Sequence, residues 1–348
     1  MTAKLKLGAL KLTGNLNLPQ GLASLPGLAG LAGLAGAALA GAATLAGVVT
    51  LASIGVAGLA TPPLRAEEPH AAAASWKQVD DVFGAAGKDL PGGVHRFGWP
   101  RRDLHVKIGD VPVEPALGLG SWGAFVKTGH GGGQEMAMAM GDLVLLESEL
   151  APVVSALEGG GIDVTAIHNH LAGESPHVVY LHFSGRGEAA ALAASLKNAL
   201  RQTATPAGAA GAPAKLLPAD EQAFDTVQRV LGRRGTLAGT VLQVSVPRAE
   251  AIEENGMEVP PAMGSAIALN FERVGDRVAT TGDFVLVAAE VNPVIRELAA
   301  HRIEVTALHS HMLAETPRLF FLHFWGVGTP EHIAGGLAAA LAKVHAKP

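Results

Sequence analysis

Two matching sets of three histidines and one glutamate occur along this 348-residue chain. Each set has the spacing His-x-His-x-x-x-Glu, followed by a third histidine further on. The sets are His168, His170, Glu174 and His182, then His309, His311, Glu315 and His323. Imidazole nitrogen and carboxylate oxygen bind divalent transition metals, and three protein ligands with an open position are typical of catalytic sites. The spacing therefore predicts that these eight residues bind metal.

The absence of cysteine restricts what kind of metal site the chain can build. It excludes disulfides, thiolate ligands and cysteine nucleophiles, so the ligands must be nitrogen and oxygen, with thioether as the only soft donor. The expected cofactor is a divalent metal ion such as Zn, Mn, Fe, Ni or Cu. A small-molecule ligand is the further partner expected if the protein is an enzyme.

The charge of the chain argues against a nucleic-acid partner. Its formal net charge is −5 and it has no basic run, whereas nucleic-acid binders carry a clustered positive surface. With 49% hydrophobic residues, a chain of this length can bury two cores.

Residues 1–75 differ in composition from the remainder. Lys4, Lys6 and Lys11 precede an uncharged stretch at 27–60 that is mostly Leu, Ala, Gly and Val. This pattern predicts a signal sequence or membrane anchor with a spacer, because about 20 apolar residues span a bilayer. The protein is then exported, periplasmic or extracellular, either cleaved or tethered by an uncleaved segment. A disordered Ala/Gly-rich tail is the alternative.

The rest of the chain reads as a tandem duplication. A helix predicted at 76–84 returns at 220–232, and the phrase at 141–145 returns at 282–286. Residues rich in Ala, Gly and Pro separate the copies and predict a linker. The predicted organisation is repeat unit 1 at 76–202, a linker at 203–219 and repeat unit 2 at 220–348.

Each repeat alternates strand and helix patterns. Period-two and short apolar runs predict strands, and apolar residues three and four apart predict helices. In the first repeat the expected strands lie at 122–126, 136–140, 143–146, 162–170 and 178–184, and the helices at 76–83, 149–157 and 188–201. The predicted fold class is α+β, a duplicated α/β sandwich with helices packed on a mainly antiparallel sheet.

This element order brings the histidines together. Side chains two apart on a strand share a face, so His168 and His170 point the same way. If the next strand folds back as a hairpin, His182 lies roughly opposite His168 and on the same face. Glu174, on the connecting loop, can then close over three imidazoles. The second repeat builds the same set, and either two sites or one shared site remains open.

Three function classes fit these residues. The first is an exported protein that buffers, carries or senses a metal. The second is a metal-dependent hydrolase or oxidoreductase, in which Glu174 and Glu315 are fourth ligands or catalytic general bases. The third is a structural or interaction module whose histidines bond backbone carbonyls and whose glutamates cap turns. The pattern alone leaves it uncertain whether the protein is an enzyme.

Two further groups of residues could bind ligands. Met136, Met138 and Met140 share a strand face and could hold Cu(I) through thioethers, although a core stripe is the commoner use of such a pattern. Arg101 and its counterpart Arg248 each precede an acidic residue two positions on, which favours a structural ion pair over contact with an anionic substrate.

Recurring phrases between Trp76 and the C-terminus resemble the LppY/LpqO family of mycobacterial lipoproteins and their bacterial homologues. The phrases are Pro100-Arg101-Arg102-Asp103, Gly118-Leu-Gly-Ser-Trp122, Gly141-Asp-Leu-Val-Leu145, and Thr165-Ala-Ile-His168-Asn-His170 through Leu181-His182. The resemblance implies an exported protein carrying a domain of unknown function, with no established activity. Unlike the lipoproteins, this chain has no cysteine to acylate.

Overall fold

The computed structural model describes residues 76–206 and 215–348. The signal sequence or anchor predicted for residues 1–75 lies outside the described residues, and so does the middle of the predicted linker. Helix α5 begins at Pro218, inside the linker predicted at 203–219. Among the described residues, no helix combines the length and apolarity that a membrane crossing requires.

The first repeat contains strands β1–β9 and helices α1–α4. The strands are Lys88–Leu90, Val94–Pro100, Lys107–Ile108, Val111–Pro112, Gly120–Gly131, Gln134–Leu145, Asp163–His168, Glu174–Ser175 and Val179–Glu188. The helices are Lys77–Phe83, Pro115–Gly118, Glu147–Gly159 and Ala189–Leu200.

The second repeat contains strands β10–β18 and helices α5–α7, with a short 3₁₀ turn at Pro261–Met263 in place of α2. The strands are Thr236–Ala238, Val241–Pro247, Glu253–Glu254, Met257–Glu258, Ala266–Val274, Arg277–Leu286, Glu304–His309, Glu315–Thr316 and Phe320–Gly328. The helices are Pro218–Leu231, Ala288–Ala300 and Pro330–Leu341.

Each repeat forms its own six-stranded sheet, and the two sheets have the same strand order. The strand order is β1-β2-β5-β6-β9-β7 in the first and β10-β11-β14-β15-β18-β16 in the second, and neighbouring strands are antiparallel. Each repeat adds a small three-stranded sheet, β4-β3-β8 or β13-β12-β17. The identical order confirms the predicted duplication of a mainly antiparallel α+β unit.

Strand β6 is longer than the sequence pattern predicts. The separate strands expected at 136–140 and 143–146 are one strand, because its pairing with β9 runs without interruption from Met136 opposite Glu188 to Leu145 opposite Val179. Gly141 lies within this strand, at a point where an added Cβ would lie 2.3 Å from the carbonyl oxygen of Trp122. Glycine at this position therefore allows the neighbouring strand to pass closely.

A buried ion network anchors helix α3 to the sheet. Arg101 is fully buried, and its Nη1 lies 2.7 Å from Oε2 of Glu149, while its Nη2 lies 2.8 Å from Oδ2 of Asp103. Glu149 also accepts the backbone N–H of Leu146 at the start of the helix. Arg248 makes the equivalent contacts in the second repeat. The predicted structural role of these arginines is therefore confirmed.

The two sheets meet through the faces that their helices leave free. In the first repeat, side chains such as Phe183 pack with the helices, whereas buried residues of both repeats share the clusters on the opposite face. Arg96 donates to the carbonyl of Ala262, and Gln243, its counterpart, donates to the carbonyl of Ala116, the counterpart of Ala262. Reciprocal contacts of this kind mean that an approximate two-fold axis relates the repeats.

Candidate metal centre

The histidines lie on the two outermost paired strands of each sheet. His182 is on β9 and His168 ends β7, while His170 lies two residues beyond that strand. The pairing places Ala166 opposite His182, and Tyr180 opposite His168. His182, predicted to lie roughly opposite His168, is thus offset from it by two residues, and a bulge falls between Val164 and Ala166. Because the offset is even, the shared face is preserved.

All six predicted histidines form one cluster between the repeats. They stack in three pairs, and each pair takes one ring from each repeat. The ring centroids are 3.5 Å apart for His168 and His309, 3.6 Å for His182 and His311, and 3.8 Å for His170 and His323. The two sets of the sequence thus meet in a single place.

The pairing follows the two-fold relation of the repeats. His168 stacks on its own counterpart, His309. The other two pairs exchange under the same operation, since His170 corresponds to His311 and His182 to His323. His170 also stacks on Tyr180 at 3.6 Å, and His311 stacks on Phe321 at 3.7 Å. Each repeat therefore holds its rings in the same way.

The Nε2 atoms of these rings have no hydrogen-bond partner. This is true of all six, and each Nε2 is buried: His168, His170, His182, His309, His311 and His323. A buried polar atom without a partner costs about 1–3 kcal/mol, so a protein keeps only a few of them, and six in one place call for an explanation. Six such atoms in one cluster of rings need an electron-pair acceptor, and a metal ion is one.

The imidazoles are held in the neutral form that binds metals. Burial, reinforced by the neighbouring histidines, lowers the pKa of His168 to about 2 and that of His309 to about 4. Burial also holds the pKa values of His170, His182 and His311 well below the usual range. A neutral ring keeps a lone pair on one nitrogen, so no proton has to be displaced when a metal binds.

The ligand atoms are close enough for one ion to reach several of them. Three overlapping groups of described residues have ligand atoms within 4.8 Å of one another. They are His168, His170, His182 and His311; His168, His309, His311 and His323; and His170, Asp283 and His323. Every group draws on both repeats.

Asp142 and Asp283 belong to the cluster although sequence reasoning did not select them. Asp142 Oδ2 lies 3.8 Å from Nε2 of His170, and Oδ1 lies 3.8 Å from Nε2 of His182. Asp283 accepts a hydrogen bond from Nδ1 of His323. Burial and the charge of Asp283 raise the pKa of Asp142 well above its usual range. The available signal was the repeated Gly-Asp phrase, whose aspartates pair across the strands with His182 and His323.

Glu174 and Glu315 do not join the groups of ligand atoms formed by the six clustered histidines. The Glu174 carboxylate lies 2.7 Å from Nδ1 of His177, and Glu315 accepts the backbone N–H of Leu319 and a hydrogen bond from Arg318. Both glutamates lie on the short strands β8 and β17, which join the small three-stranded sheets. Their contacts are those of the turn-capping alternative, within the segment that follows each pair of histidines.

A small cavity adjoins one flank of the cluster. Its volume is about 40 Å³, and it is lined by Trp122, Met140, Gly141, Asp142, His182, Phe183, Met263, Gly264, Asp283, His311 and Met312. Arg96 lies near this flank, with its guanidinium carbon 3.9 Å from the centre of the Trp122 ring. Burial lowers the pKa of Arg96 to about 10, although the negative charge of Asp142 acts to raise it.

A family described as Domain of Unknown Function (DUF1259) matches the chain twice, at residues 77–202 and 225–343. No curated protein matches the chain. One solved structure, titled "Structure of crystal form I of TP0453", aligns at 12% identity over 74% of this chain and 96% of that one, with a TM-score of 0.17. We take neither fold nor function from so low a structural similarity.

Proposed function

We propose that this chain, which belongs to the family described as Domain of Unknown Function (DUF1259), binds a divalent transition-metal ion at one centre shared by its two repeats. In this proposal the protein buffers, carries or senses the metal. The ligands come from the six clustered histidines, while Asp142 and Asp283 orient them or add an oxygen ligand. Glu174 and Glu315 stabilise the turns beside them.

The six unpartnered Nε2 atoms carry this proposal. If the histidines were ordinary core residues, their ring nitrogens would bond backbone carbonyls. Carbonyl oxygens do reach Nδ1 of His168 and Nδ1 of His323. Such bonds at Nδ1 leave the lone pair on Nε2, which is how proteins commonly hold metal-binding histidines.

The chemistry of the donors supports some metals over others. Imidazole nitrogen suits Zn, Cu, Fe and Ni, whereas Mn prefers oxygen ligands. A centre dominated by imidazole therefore favours the first four ions. When bound, such an ion would act as a Lewis acid toward the imidazole lone pairs.

The small space around the cluster favours metal binding over catalytic conversion of a substrate. The adjoining cavity of about 40 Å³ has room for about one water molecule. A substrate for a hydrolase or oxidoreductase needs a pocket of about 300 Å³ or more. We therefore rank storage or transfer of the metal above catalysis.

We further propose that the protein is exported and that it is related to the LppY/LpqO lipoproteins. The lysines and apolar stretch within residues 1–75 support export. Fusion of this segment to a reporter that is active only outside the cytoplasm tests the idea. An active reporter is expected, and an inactive one would contradict export.

Metal analysis of the purified full chain tests the proposed function. The protein is stripped with a chelator, titrated separately with Zn(II), Ni(II) and Cu(II), dialysed and measured by elemental analysis. We expect tight, stoichiometric retention of at least one of these ions. A variant with His168→Ala and His309→Ala should retain far less.

A matched control removes two histidines that lie outside the cluster. His105 and His130 are both exposed, so the double variant His105→Ala/His130→Ala should bind metal as the natural chain does. Failure of the natural chain to bind any of the three ions would overturn the proposal. Equal binding by the cluster variant and the control would also overturn it.

A further inference from the structure

Three methionines converge on the small cavity beside the histidine cluster. Met140, Met263 and Met312 all line it and are 6%, 1% and 2% exposed. They come from strand β6, from the 3₁₀ turn and from the segment after β16, respectively. Three of the chain's seven methionines therefore meet at one cavity of about 40 Å³, although they are far apart in sequence.

The same cavity is lined by imidazoles whose ligand atoms are unpartnered. His182 and His311 form its wall toward the metal centre, and their Nε2 atoms have no hydrogen-bond partner. Methionine and histidine side chains thus line one space. In this cysteine-free chain, methionine is the only source of a soft sulfur ligand.

The approximate two-fold axis provides an internal comparison for this flank. At the positions equivalent to Met263, Met312 and Met140, the other flank has Leu117, Leu171 and Thr281. That those residues lie together is shown at Gly118, where an added Cβ would be 3.6 Å from Thr281 and 3.9 Å from Leu171. The histidines and aspartates occur on both flanks, so the methionines are what distinguishes one from the other.

We propose that the methionine flank binds Cu(I), and that copper is the metal of this protein. The ligands would be the thioethers of Met140, Met263 and Met312 together with the imidazole of His182 or His311. Soft, neutral donors of this kind select Cu(I) over Zn(II) and Ni(II). This inference rests on the proposed metal-binding function and narrows it to one element.

Methionine also serves as an adaptable core residue, and an experiment can separate the two roles. The variant Met140→Leu/Met263→Leu/Met312→Leu removes the sulfurs and keeps the side-chain volume nearly constant. Leucine already occupies two of the equivalent positions on the other flank, so this fold accepts it there. The control is Met138→Leu, which changes a fully buried methionine on the same strand that does not line the cavity.

Affinity for Cu(I) is measured on the full chain without oxygen, by competition with a coloured Cu(I) chelator. Ag(I) serves as a second probe that does not change oxidation state. We expect the triple variant to bind Cu(I) and Ag(I) about 100-fold more weakly, while Zn(II) and Ni(II) affinities change less than about 3-fold. Circular dichroism and the retained Zn(II) or Ni(II) binding confirm that the variant is folded.

The outcomes distinguish this inference from the function on which it rests. Cu(I) affinity that is the same in the triple variant, the Met138→Leu control and the natural chain would overturn the methionine site while leaving the histidine centre in place. A chain that binds none of Cu(I), Zn(II) and Ni(II) would overturn the proposed function itself. If the triple variant unfolds, Met263→Leu alone is tested in the same way and should weaken Cu(I) at least about 5-fold.

Discussion

His168 of the first repeat stacks on His309 of the second, with ring centroids 3.5 Å apart and planes inclined by 25°. These are equivalent residues, so the stack lies on the approximate two-fold axis that relates the repeats. Each repeat supplies three imidazoles to the cluster, and a ring from one repeat always faces a ring from the other. The duplication is therefore what makes the centre.

Metal should stabilise both repeats together, because its ligands come from both. Free Zn(II) or Ni(II) at about 1,000 times its dissociation constant should raise the free energy of unfolding by about 4 kcal/mol. Urea unfolding followed by circular dichroism measures this change. A single transition that moves as a whole is expected, and a metal-dependent shift of only part of the signal would contradict a shared centre.

Asp283 should matter for affinity more than for stoichiometry. It accepts the hydrogen of His323 Nδ1, which leaves the lone pair on Nε2 pointing into the cluster. Asp283→Asn weakens this interaction without removing a ring, so we expect metal affinity to fall about 10- to 100-fold at unchanged stoichiometry. Isothermal titration gives both quantities. Unchanged affinity would mean that Asp283 does not orient the histidine.

Loss of Arg101 should destabilise the fold. Without the guanidinium, the buried carboxylate of Glu149 loses its charged partner, and the carbonyl of Val144 loses the hydrogen bond that Arg101 donates to it. Arg101→Ala should lower the free energy of unfolding by about 3–5 kcal/mol, and Arg248→Ala should act similarly in the second repeat. Arg201→Ala, at the exposed end of α4, should cost less than about 0.5 kcal/mol in the same urea experiment. A loss at Arg101 no larger than this control would contradict the account.

Glu272 should make stability depend on pH. Burial and the nearby charge of Glu114 raise its pKa from 4.5 to about 7. Between these values the folded protein keeps the proton while the unfolded chain releases it, so the free energy of unfolding falls as pH rises through this window. Below pH 4.5 the carboxyl is protonated in both states, and this contribution to stability is fully present.

Substitution of Glu272 by glutamine tests the sign of this effect. Glu272→Gln is neutral at every pH and should be more stable than the natural chain by about 1–2 kcal/mol at pH 8, with little difference at pH 4. Solvent still reaches part of the carboxylate, which keeps the gain below the full effect of the pKa difference. Urea unfolding at both pH values measures it, and a difference that grows toward low pH would contradict the assignment.

Much of this arrangement could be predicted from the sequence because it depends on local periodicity. The helix ending at Gly84, the duplication and the shared face of His168 and His170 follow from spacing. The exact register of His182 could not be predicted, because it is set by the connecting loop, which places Tyr180 opposite His168 and His182 opposite Ala166. Spacing also could not distinguish a glutamate that joins the metal from Glu174, which bonds its own turn.

The contribution of the aspartates and the number of centres required the tertiary structure. Asp142 is distant in sequence from His182 and becomes its neighbour only because β6 and β9 pair although they are not consecutive. Likewise, the meeting of His168 with His309 depends on how two sheet faces dock. Hydrophobic pattern predicts that such faces are buried but not which residues meet across them.

Metal stoichiometry in two half-set variants tests the shared centre most directly. The variant His168→Ala/His170→Ala removes two of the three histidine ligands of the first repeat. The variant His309→Ala/His311→Ala does the same in the second repeat. Elemental analysis and native mass spectrometry count the bound ions after saturation and dialysis. With Zn(II) or Ni(II) as the probe ion, we predict that either variant loses all tightly bound metal, because each group of ligand atoms draws on both repeats. Retention of half the metal by each variant would contradict this prediction and would indicate two separate sites.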